Sequence, residues 1–153
     1  MNQKNKYLKY SINCNSDFKK PNKVIIKLFC DKIFITNNIF NVDISFVFCS
    51  DSFLLNLKKK YFNKDQYTDV IAFRINEINN KKIEGEIYIS LDRALENSSV
   101  YNEPYEKEVT RLIIHGCLHL IGFDDKSVKE KKNMTKMEDH FLKSGKWKGL
   151  FKN

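Results

Sequence analysis

Glycine and proline are scarce in this chain of 153 residues, five and two respectively, and they gather nowhere into a linker. No internal repeat or low-complexity stretch divides the sequence, so a multi-domain or tandem organisation is excluded. The four cysteines, Cys14, Cys30, Cys49 and Cys117, are widely spaced and include no C-x-x-C pair. That excludes a small secreted disulfide framework, and the thiols read as reduced and buried. No apolar run approaches the roughly 18 residues needed to cross a bilayer, and the opening M-N-Q-K-N-K lacks the apolar core of a signal peptide. A cytoplasmic protein with no membrane partner is the expectation.

What is present is a composition 42% hydrophobic and 30% charged, ordinary for a globular protein. The length suits one domain over 1–153, large enough to bury a core without staples, with 146–153 expected to form a loosely ordered tail. Lysine, asparagine, isoleucine and phenylalanine are abundant, the mark of an AT-biased genome. The net charge is +8 and the pI about 9.2. Such a field attracts polyanions, nucleic acid first among them, although codon bias toward lysine accounts for part of it.

Periodicity sketches an α/β rhythm. Strands are expected over Tyr7 to Asn13, Phe40 to Cys49, Thr68 to Ile75 and Glu84 to Leu91, the last two pairing antiparallel across a turn at Asn79-Asn80. Helices are expected from Pro21 to the Asn37-Asn38 stop, from a Ser50 or Asp51 cap to Lys60, and from an Asp92 cap to Val100. Pro104 opens a long buried helix, and an amphipathic helix over Ser127 to Lys143 closes the series. The fold class is therefore α/β (α+β): a single mixed four-stranded sheet with about five helices, the central buried one bearing histidines.

That central stretch, Arg111 to Asp125, reads R-L-I-I-H-G-C-L-H-L-I-G-F-D-D and contains two of the three histidines of the chain. On a helix, His115 and His119 project from one face with Cβ atoms about 5–6 Å apart, so both rings can reach one cation. Gly122 suits a left-handed stop, after which Asp125 returns to the rings as a third, oxygen ligand. Open coordination positions would remain for water and substrate. Apolar residues nearly all round the helix argue that it is buried and that its histidines need partners. Cys117 falls about 200° round the helix from each histidine and should point into packing. His140 reads as a surface residue. Asp124, next to the third ligand, is a candidate to orient it or to act as a base, with a plain turn residue as the alternative.

The segment H-G-C-L-H-L-I-G-F-D-D resembles the H-G-x-L-H-L-x-G-Y-D-H signature of the YbeY-type endoribonuclease family. K-D-Q-Y-T-D-V-I-A-F (Lys64 to Phe73) is similar to that family's K-D-x-P-T-x-V-L-S-F, and G-E-I-Y-I-S-L-D (Gly85 to Asp92) to its G-D-I-x-I-S. The three blocks span about Tyr61 to Asp125 in the right order. The resemblance implies a metal-dependent, single-strand-specific endoribonuclease of ribosomal RNA processing, including 16S rRNA 3′-end maturation, and of ribosome quality control. It implies one divalent ion, zinc first, with small-subunit and assembly-factor partners. His115 and Asp124 are then the catalytic candidates, and Lys60, Lys64 and Arg74 the candidate RNA contacts. The aromatics Tyr61, Phe62, Tyr67 and Phe73 divide between base stacking and core packing, with packing favoured.

Three departures from the family pattern stand out. Asp125 replaces a third histidine, Phe62 replaces the arginine usual after Tyr61, and Tyr67 replaces a proline. Lys60 or Lys64 would then offer phosphate a point charge, without the arginine fork. Rival readings are a zinc peptidase, a non-haem iron oxygenase, and a non-catalytic, metal-stabilised rRNA-binding assembly protein. The H-x-x-x-H-x-x-G-x-x-D spacing suits a peptidase, but the glutamate that chemistry needs after the first histidine is Gly116 here.

Overall fold

The computed structural model describes residues 6–77 and 81–152. Alternating apolar residues make four strands, β1 (Tyr7–Cys14), β2 (Asn41–Cys49), β3 (Val70–Arg74) and β4 (Lys82–Ser90). They lie in the order β1-β2-β4-β3, with β1, β2 and β4 parallel and β3 antiparallel on the edge beside β4. The mixed four-stranded sheet is as the sequence indicates. The Asn79-Asn80 turn lies outside the described residues.

Five helices, α1 (Lys23–Thr36), α2 (Asp51–Phe62), α3 (Leu91–Val100), α4 (Tyr105–Ile121) and α5 (Val128–Leu142), complete the fold. Their caps follow the side-chain chemistry. Asn22, Ser50 and Ser90 each accept a first-turn backbone N–H, and Ser127 exchanges hydrogen bonds with Glu130 in a capping box. Asp92 is not the cap of α3. The Ser90 hydroxyl takes that place, and the Asp92 carboxylate instead accepts from the Asp51 N–H at 2.8 Å, tying α3 to α2. Two good cap residues stood close together, and only the tertiary contact separated them. Pro104 occupies the position just before α4, with the extended backbone of a cap.

Period-2 alternation assigns the sheet two different faces. Val42, Ile44, Phe46 and Phe48 of β2 and Ile83, Ile87 and Ile89 of β4 enter one large core with α1, α4 and α5. The opposite face is covered by α2 over β3 and β4, through a small cluster of Cys49, Leu54 and Ile71. Helix α4 approaches the sheet closely because Gly116 has no side chain. A Cβ there would stand 2.7 Å from Ile87 Cγ2, well inside contact distance. Cys117 is buried with its sulfur 3.7 Å from that of Cys30 on α1, as its position round the helix implies.

Residues 146–152 are not a loose tail. Trp147–Gly149 forms a 3-10 turn, Leu150 is fully buried, Phe151 stacks on Tyr105 at 5.1 Å, and Leu150 O accepts from Asn22 N–H. Three apolar side chains within five residues provide the burial that holds them. Among the described residues, no helix is long and apolar enough to cross a membrane.

Candidate metal centre

The last two turns of α4 carry His115 and His119, each one position before a residue that packs on the sheet, Gly116 and Leu120. Gly122 ends the helix with φ 118°, a conformation that side chains with a Cβ resist. The N–H of Phe123 bonds back to Leu118 O at 3.1 Å, closing the reversal. The chain then brings Asp125 over the rings. His115 Nε2 lies 2.9 Å from His119 Nε2, and Asp125 Oδ2 lies 3.3 Å and 3.6 Å from those two nitrogens.

These separations fit a shared cation. Ligand bonds of about 2.0–2.1 Å at tetrahedral angles set donor atoms about 3.3–3.4 Å apart, and the three observed edges straddle that value. Two imidazole nitrogens and one carboxylate oxygen form a donor set that zinc accepts. Among the described residues, the ion-pair partners of Asp125 are the two rings, and no lysine or arginine fills the centre of the triangle.

Beneath the triangle sits a carboxylate that sequence reasoning missed. Glu138 of α5, buried, places Oε2 2.7 Å from His115 Nδ1. With Nδ1–H donating to Glu138, the Nε2 lone pair is left facing His119 and Asp125, which is how outer carboxylates orient metal-binding imidazoles. Burial would lower the His115 pKa, but the hydrogen bond and charge of Glu138, helped by Asp125 and Asp69, leave it raised overall. Arg111 neutralises Glu138 from below, with Nη1 3.2 Å from Oε1 and a further contact to Glu108 at 3.5 Å. Glu108 in turn accepts from Asn97, whose amide also reaches Asp69. A legible signal existed for Glu138: it falls on the apolar stripe of α5 with Met134, Phe141 and Leu142, where an unpaired charge does not belong.

A cavity of about 1000 Å³ opens beside the triangle, lined among others by Asp69, Arg111, His115, Asp125, Glu138 and Trp147. A profile of the family described as Endoribonuclease YbeY matches residues 2–146. The chain belongs to the YbeY endoribonuclease family. Its relatives include an endoribonuclease YbeY of Amoebophilus asiaticus, 39% identical over 82% of this chain and 84% of the relative. One of Karelsulcia muelleri is 44% identical over 69% and 73% of the respective chains. The solution structure of a Thermotoga maritima protein superposes with a TM-score of 0.62 at 25% identity, covering 88% of this chain and 87% of that one.

Set on the YbeY fold, the remaining candidates fall in different places. The Asp124 carboxylate accepts the Asp125 N–H at 2.9 Å and lies 3.6 Å from the Lys126 ammonium. The backbone donor first, with lesser help from that cation and His119, holds its pKa below the usual carboxylate range against the opposing effect of desolvation. Arg74 donates from Nη1 to Leu120 O at 2.9 Å, and from Nη2 to the carbonyls of Glu77 and Lys82. Its guanidinium thus ties the edge strand to the end of the histidine helix. Lys60 and Lys64 stand exposed at and beyond the end of α2, Lys60 5.4 Å over the Tyr61 ring. His140 is exposed, as the sequence suggests. The peptidase alternative meets a steric barrier as well as a chemical one, since a glutamate at position 116 would drive its Cβ into Ile87.

Proposed function

We propose that His115, His119 and Asp125 hold one divalent ion, zinc first, and that the whole chain acts as one catalytic unit cutting single-stranded RNA. The RNA implied is precursor ribosomal RNA at the 16S 3′ end, with the small subunit and its assembly factors as partners in the cytoplasm. The observation that carries this reading is the convergence of three donor atoms within 3.6 Å, backed by a buried carboxylate on the far nitrogen of His115. When bound, a divalent cation supplies Lewis acidity toward a phosphoryl oxygen and acidifies water at its open positions.

The protein's own groups supply the rest. Glu138 keeps the proton on His115 Nδ1, so that Nε2 faces the centre unprotonated. Asp124 acts as a positioning residue, because its carboxylate is engaged with the backbone of the ligand turn and its lowered pKa makes it a weak base at neutral pH. Lys60 and Lys64 offer charge to phosphates, whereas the guanidinium of Arg74 serves the fold. The adjoining cavity receives the strand beside the reacting phosphate.

The test combines metal analysis with one variant. The purified protein should carry about one zinc per chain and cleave single-stranded RNA. His115→Ala should lose both while keeping its circular dichroism. Cleavage that survives this change, or none in the zinc-loaded parent, refutes the nuclease reading.

A further inference from the structure

The face of the sheet opposite the histidine helix carries an exposed run of aromatic rings. Phe53 and Tyr61 lie on one stripe of α2, eight residues apart, and Phe62 follows at its end. Phe53 stacks on Tyr88 of β4 at 6.4 Å, Tyr88 meets Phe73 of β3 edge-on at 5.8 Å, and Phe73 contacts Tyr61 and Phe62 at 5.6 and 5.8 Å. Core packing does not describe the outer three: Phe53, Tyr61 and Phe62 remain 49%, 58% and 46% exposed. An apolar patch of this kind on a soluble surface marks a binding site more often than chance.

Charge says what it binds. From position 58 to 65 the chain reads K-K-K-Y-F-N-K-D, four lysines against one aspartate, and that aspartate, Asp65, pairs with Lys59. Aromatic faces interleaved with cations are the means by which proteins hold unpaired nucleic-acid strands, with bases on rings and phosphates on lysines. Asn63, in the left-handed region with φ 52°, turns the chain away from α2 at this point. The exposed segment that follows leads past Tyr67, itself stacked under Arg93 at 5.0 Å, to Asp69. Asp69 lines the same cavity as His115 and Asp125. Residues 63–69 thus run from the end of the aromatic patch to the rim of the metal cavity.

We propose that Tyr61 and Phe62, supported by Phe73 and flanked by Lys60 and Lys64, form a base-stacking platform that holds single-stranded RNA leading into the metal cavity. The inference rests on the RNA reading of the metal centre and adds how the strand is gripped. It also gives Phe62 a purpose: a ring here takes bases where a guanidinium would take phosphate.

The test is binding, measured by fluorescence anisotropy on the full-length, zinc-loaded protein. The probe is a fluorescein-labelled, 2′-O-methylated single strand of about 12 nucleotides, confirmed intact on a gel. Replacing both rings (Tyr61→Ala with Phe62→Ala) should weaken binding about tenfold or more. Phe62→Trp should keep parental affinity, and a duplex of the same sequence should change less than about twofold, because its bases are already stacked. Parental affinity in the double alanine variant overturns the proposal, as does an equal loss for duplex and single strand. So does a parent that sediments as a dimer which the alanines dissolve, since the patch would then bind a second copy of the chain. Failures are distinguishable: a parent that binds the strand through these rings yet cuts no RNA loses the nuclease reading and keeps the platform.

Discussion

The two faces of the sheet are built from alternate residues of the same strands and behave in opposite ways. Toward α4, Ile87 and Ile89 are fully buried, and a glycine in the helix lets backbone approach side chain. Toward α2, Tyr88 and Phe73 are only partly covered, and the rings around them stand half in water. The closed face holds two imidazoles and a carboxylate with their facing atoms 2.9–3.6 Å apart, which needs a rigid support. The open face carries flexible lysines and sequence-tolerant rings, which suits a ligand of variable sequence. Rigid chemistry and adaptable grip are divided between the two sides of one sheet.

The contrast breaks first at Gly116. Gly116→Val puts branched carbon where Ile87 Cγ2 already stands, and should cost about 1–3 kcal/mol of stability, read as a fall of several degrees in Tm. A neutral result would mean that the closed face is not tightly packed. Glu138→Gln retains the shape of the side chain but removes the charge beneath His115. Zinc affinity, measured by chelator competition, should fall about 10–100-fold with the fold intact. Unchanged affinity would reduce Glu138 to a structural residue.

On the open face, Phe53→Ser should change stability by less than about 0.5 kcal/mol, because half of the ring is already solvated. A loss of several kcal/mol in a denaturant titration would show that this face is core after all. The smallest effect concerns Glu108. Burial pushes its pKa up, against the opposing hydrogen bond from Asn97 and the charge of Arg111. The folded protein therefore keeps this proton to higher pH than the unfolded chain. Its contribution to stability falls as pH rises from the ordinary glutamate range toward the raised value. Glu108→Gln should flatten that part of the stability–pH curve, and an unchanged slope would contradict the burial argument.

Much of this was open to reading in one dimension. The spacing of His115 and His119, the bend at Gly122 and the return of Asp125 follow from helical period and backbone sterics, which act within a few residues. Strand alternation likewise told Val42 and Ile44 from their neighbours. Glu138 was another matter: 23 residues beyond His115, it declared itself only as a charge on an apolar stripe, with no indication of which ring it would meet. Nor did local pattern reveal that Ser90 rather than Asp92 would cap α3, that Leu150 would dock under Asn22, or that Arg74 would spend its donors on backbone carbonyls.

The sequence by itself determined the elements, the faces they bury and the meeting of His115, His119 and Asp125, because each depends on bond geometry and short-range contact. Only the tertiary structure decided what lies beneath His115, which aromatics stay in water and where the cavity opens. Those outcomes depend on which of several compatible surfaces meet once the chain is packed.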